Sequence, residues 1–116
     1  MTVGTFTKFS ADQLHQQLET LAEKWMDAQA EYRSLDVATK PLLADLVLEF
    51  QSHQKTSRVQ ALTHAESDAR YKNHLQGLII AEEKCIRAKL RYNNMLQLAE
   101  LRRSEEASAR TLVTRN

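Results

Sequence analysis

Apolar residues in this chain fall on two seven-residue ladders, and that repeat restricts the fold more than any other feature. The first ladder is Leu14, Leu18, Leu21, Trp25, Ala28, Tyr32 and Leu35; the second is Leu78, Ala81, Cys85, Ala88, Tyr92, Met95 and Ala99. Steps of three and four residues alternate along both. A helix with that repeat keeps one seam turned toward a partner helix along its whole length. Two such seams predict an all-α protein, a long antiparallel helical hairpin of coiled-coil type. The second ladder is rich in small residues, whereas the first carries Trp25 and Tyr32. Large side chains facing small ones across the seam are therefore expected.

Turn-forming residues are scarce, with 2 Gly and 1 Pro in 116 residues, which argues against a sheet fold and a loop-built site. The length allows one domain at most. Residues 1–9 read as an extended arm, 10–112 as a single helical-hairpin domain, and 113–116 as a frayed tail. Two long helices bury little core by themselves, so oligomerisation or docking on a partner is the expected source of extra stability.

Start and stop signals divide the pattern. Ser10 and Gln13 form a capping box, and Phe9 with Leu14 forms the hydrophobic staple beside it. Pro41 lies within the continuing apolar face of Leu42, Leu43, Leu46, Val47 and Phe50. Either one helix passes through it, kinked, or a new helix begins there with Thr39 as cap; the continuous helix is preferred. The polar run Gln51–Thr56 is the expected turn. Ser57 with Gln60, and Thr63 with Glu66, are two further capping boxes, with a local break expected near Ser67 and Asp68. Gly77 costs about 1 kcal/mol in a helix relative to alanine, and close approach of another helix is one reason to keep it.

A second apolar line on the later helix, Leu75, Ile79, Ile86 and Leu90, has no partner in a simple hairpin. It is the expected interface of a homodimer or a protein partner. The alternative is that Pro41–Phe50 folds back to cover it.

Charge is unevenly distributed around a net value of +1. Helix one carries the acidic face Glu19, Glu23, Asp27 and Glu31. Lys84, Arg87 and Arg91 share a helix face with Asn94, and Arg102 and Arg103 extend the basic set. A basic stripe of this kind suits a phosphate backbone or an acidic partner. Pairing with helix one, or simple solvation, is the alternative.

Chemistry finds little foothold. The histidines, His15, His53, His64 and His74, lack metal-site spacing and read as surface or turn residues. Cys85, the sole cysteine, lies inside a ladder and reads as a small hydrophobe in a reducing setting. Neighbouring carboxylates such as Glu82 and Glu83 diverge on a helix. No catalytic motif, metal site, cofactor or small-molecule ligand is expected. No apolar run is long enough to span a membrane, and no signal peptide is evident.

Three stretches carry a resemblance: Ala69-Arg70-Tyr71-Lys72-Asn73-His74-Leu75-Gln76-Gly77-Leu78, Ala88-Lys89-Leu90-Arg91-Tyr92, and Glu100-Leu101-Arg102-Arg103-Ser104-Glu105-Glu106-Ala107, with the Lys40–Leu46 run and Ser57 in support. Together they resemble small helical proteins of tailed phages and prophages encoded near recombination and replication genes. The resemblance implies a non-catalytic accessory of a DNA-processing or nucleoprotein complex in the cytoplasm of an infected or lysogenic bacterial host. The expected partner is a protein or nucleoprotein complex, with DNA contact open. An anti-CRISPR-like inhibitor of a host defence complex, with the acidic face mimicking phosphates, and a coiled-coil scaffold are the alternatives.

Overall fold

Three helices account for the computed structural model, which describes residues 10–115: α1 Ala11–Gln54, α2 Arg58–Ser67 and α3 Ala69–Arg115. There is no strand among the described residues, and the architecture is the all-α hairpin that the ladders predict. The N-terminal arm and the Phe9 half of the staple lie outside the described residues.

The start of α1 follows from its first polar residues. Ser10 Oγ accepts the Gln13 N–H at 3.2 Å, and Gln13 Oε1 accepts the Ser10 N–H at 2.8 Å. This reciprocal box satisfies two donors that a helix start leaves open. Pro41 lies inside a continuous α1. Lacking an N–H, it leaves the Val37 carbonyl without its helical donor. Both residues are exposed, so water reaches that carbonyl.

The expected turn is shorter than its polar run. α1 persists to Gln54, with His53 Nδ1 3.0 Å from the Glu49 carbonyl. Lys55 then takes a left-handed conformation at φ 49°, ending the helix where glycine is usual. Ser57 caps α2, its hydroxyl accepting the Gln60 N–H at 3.3 Å. The Thr63–Glu66 box is not used, because Thr63 Oγ1 donates to the Val59 carbonyl inside α2. The break falls at Asp68, whose Oδ1 accepts the Arg70 N–H at 2.8 Å and so starts α3.

The chain divides into two compact units, Met1–Met26 with Ile86–Asn116, and Asp27–Cys85. In the first, α1 and α3 pack through their ladders, with Leu14 buried and Leu18, Leu21, Ala88, Met95 and Ala99 half-buried. Trp25 and Tyr92 meet at 5.5 Å between ring centroids, and the Lys89 ammonium lies 6.0 Å from the Trp25 ring. Large therefore faces large here, correcting the expected large-against-small match. A tilted aromatic pair gains favourable edge and quadrupole contacts that neither ring finds against alanine.

The second unit holds most of the buried core: Ala28, Leu46, Ala61, Ala65 and Ala81. α2 makes the difference. Ala61 and Ala65, four residues apart, form a small-residue face that buries completely. Partners between α1 and α3 run antiparallel: Glu31 with Lys84, Thr39 with His74, and Glu49 with Arg70. Leu42, Leu46 and Phe50 continue the α1 seam inward rather than folding over the second apolar line. Leu46 is 2% exposed, whereas Ile79 on α3 is 56% exposed. A Cβ added at Gly77 meets nothing within 4 Å, so close helix approach is not the reason for that glycine.

Candidate functional site

A polar node interrupts the apolar seam of the second unit. His74 Nε2 lies 2.9 Å from Thr39 Oγ1 and 2.9 Å from the Leu35 carbonyl, and Thr39 Oγ1 donates to the same carbonyl at 3.0 Å. A carbonyl oxygen only accepts, so the His74 Nε2–H donates to it. Both residues are half-buried. Thr39 is one seam step beyond Leu35, and His74 is one step before Leu78. The reading of His74 as a surface or turn residue is thereby corrected; the spacing that reveals it appears only when polar residues are allowed on the ladder. A polar pair at one seam position favours a single register over its neighbours. The other three histidines are exposed, with His15 3.0 Å from Glu19 and His64 beside Phe50.

The charged residues are partly occupied by each other. Lys84 Nζ reaches Glu31 at 3.2 Å, which joins the basic stripe to the acidic face. Arg102 is half-buried and reaches Glu106 at 3.3 Å, and Arg87 is also engaged by a neighbouring group. Arg91 and Asn94 are exposed. Arg103 lines a shallow cleft with Leu14, Leu18 and Ala99. On α1, Glu19, Glu23, Asp27 and Glu31 are all exposed, Glu19 being paired with His15.

Beside the break, Arg70 forms the most connected ion-pair cluster. Its Nε donates to Asp68 at 3.0 Å and an Nη atom to Glu49 at 2.9 Å, linking α3 to α1. The Arg70 hydrogen bonds hold the Asp68 carboxyl below the usual carboxylate range, and the two carboxylates push the guanidinium upward. Farther along the seam, the Glu82 carboxylate and then burial raise the Tyr32 hydroxyl above its ordinary value. Each is a structural ion-pair or seam effect. Cys85 is half-buried in the seam, and no cluster of His, Cys, Asp or Glu suited to a metal occurs among the described residues.

Outward-facing apolar side chains remain. Ile79, Ile86 and Leu90 are 56%, 51% and 55% exposed, while Leu75 is half-buried. In the second unit, α1 and α2 also enclose a groove of about 660 Å³. Leu43, Val47, Leu48 and Leu62 form its apolar lining, with Lys40 and Arg58 at its rim. Sequence reasoning missed this groove. Leu43 and Val47 read as seam continuation, and only the position of α2 makes them walls of a cleft.

No protein-family model, curated protein or solved structure matches this chain. No helix among the described residues is long and apolar enough to cross a membrane.

Proposed function

We propose that this chain is a non-catalytic helical binding protein, dimeric through α3, that modulates a DNA-processing or nucleoprotein complex by engaging a protein component of it. The observation that carries this reading is the division of its apolar residues. The ladders are spent on holding the helices together, yet Ile86 and Leu90, four residues apart on the α3 part of the first unit, stand exposed. Aliphatic side chains repeated on one helix stripe and left to water favour burial against another surface. The phage-type resemblance of the α3 stretches supports the setting. The engagement of Lys84, Arg87 and Arg102 favours a protein component over direct binding to a phosphate backbone.

Sedimentation equilibrium on the purified chain and on I86E/L90E, followed by duplex-DNA titration at low salt, tests it. A dimer that the double variant converts to monomer, with weak DNA binding, is expected. A wild-type monomer overturns the dimer. Tight, salt-sensitive DNA binding lost on replacing Lys84, Arg87 and Arg91 moves the function to direct nucleic-acid contact.

A further inference from the structure

The α1–α2 groove of the second unit has the shape and charge of a receptor for a short helix. Its walls come from two elements: Leu43, Val47 and Leu48 from α1, Leu62 from α2. Leu48 is 62% exposed and Leu62 is 39% exposed, so the apolar walls are open to water. Along α1 the lining runs from Lys40 to Gln51. Those twelve residues, eleven helical steps, rise about 16 Å, three turns.

Charge sets the polarity of the occupant. Lys40 stands at one end of the α1 wall. α1 turns through Lys55–Ser57 into α2, so Arg58, the first residue of α2, lies toward the other end, beside Gln51. Both cations are exposed, and neither has an ion pair among the described residues. An apolar trough with a free cation toward each end matches a helix with an apolar stripe and acidic residues at both ends. Helix-in-groove recognition works in this way: apolar anchors at i, i+3/i+4 and i+7 supply the burial, and rim charges select the partner.

We propose that the groove between α1 and α2 binds an acidic amphipathic helix of a partner protein, about three turns long, with large apolar anchors inward and carboxylates toward Lys40 and Arg58. The inference deepens the reading of this chain as a binding protein and adds a second surface, separate from the α3 residues. A basic or purely polar helix does not fit, because it sets like charge against the two rim cations.

The test uses the full chain and a fluorescein-labelled synthetic helical peptide with leucines at i, i+4 and i+7 and glutamates at both ends. A twin peptide carries lysine in place of each glutamate. Anisotropy titration at low salt is expected to give saturable binding of the acidic peptide and at least tenfold weaker binding of the basic one. L48D, a change at a largely exposed side chain, is expected to weaken the acidic complex at least tenfold with unchanged helical circular dichroism. K40E/R58E is expected to reverse the preference in favour of the basic peptide. Equal affinity for both peptides, no saturable binding, or binding indifferent to L48D overturns the proposal. So does self-association of the chain that K40E/R58E abolishes, which makes a second copy the occupant. I86E/L90E is expected to leave peptide binding intact, so failure of the groove and failure of the α3 dimer are read separately.

Discussion

Single residues in this chain show where helical convenience has been set aside. Gly77 is helical, yet a methyl group there has open space around it. Gly77→Ala therefore removes backbone entropy from the unfolded chain at no steric cost, and urea unfolding is expected to show a gain of about 1 kcal/mol. Asp68 behaves differently. Its backbone N–H closes α2 by donating to the Ala65 carbonyl, while its carboxylate starts α3 and binds Arg70, which lowers its pKa in the folded chain. The folded state then takes up a proton less readily than the unfolded state. Its contribution is complete above the unfolded value of about 3.9 and disappears as pH falls through the lower folded value. Asp68→Asn keeps a good cap but removes the titration. Denaturant midpoints measured from neutral pH down into that acid window are expected to fall less steeply in the variant. Its partner Arg70 is exposed, so salt is expected to shrink the difference.

At the level of elements, α1 is the helix with a designed weak point. Leu35 O receives both Thr39 Oγ1 and His74, and Pro41 deprives Val37 O of its donor. Two disturbances within two turns loosen the ladder just where the Lys40 rim of the groove begins. Pro41 is exposed, so Pro41→Ala restores a backbone bond and sacrifices little packing. A stability gain of up to about 3 kcal/mol is expected, with slower amide exchange around residues 39–43. The seams of α1 and α3 were readable from the seven-residue apolar repeat because each ladder residue with a described side chain is buried or half-buried. Caps at Ser10 and Ser57 were readable because short polar side chains act on their own backbone neighbours, and near Asp68 only the break was readable, not the cap. Thr39 and His74 escaped because an apolar ladder passes over polar members. α2 packs through Ala61 and Ala65, which have too little hydrophobic contrast to mark a face. The groove escaped for a further reason: it belongs to no element and exists only where α1 and α2 meet.

For the whole molecule, the consequence is a core made largely of alanine and half-buried ladder residues, with several large aliphatic side chains outside it. Only Leu14 and Leu46 are large buried hydrophobes among the described residues. Such a core leaves a small stability margin, because the ordering entropy of the described helices opposes a modest buried area. Association that buries Ile86 and Leu90 adds to that margin by mass action, so folding and dimerisation are linked. Linkage has a measurable signature that a monomer lacks. For a folded dimer in equilibrium with unfolded chains, a tenfold rise in protein concentration is expected to lift Tm by about 3 °C. I86E/L90E removes the apolar anchors without touching the ladders, and its Tm is expected to be lower and independent of concentration. Scanning calorimetry at three concentrations separates the two cases. A wild-type Tm that does not move with concentration leaves the α3 stripe free in solution and assigns it to a different protein.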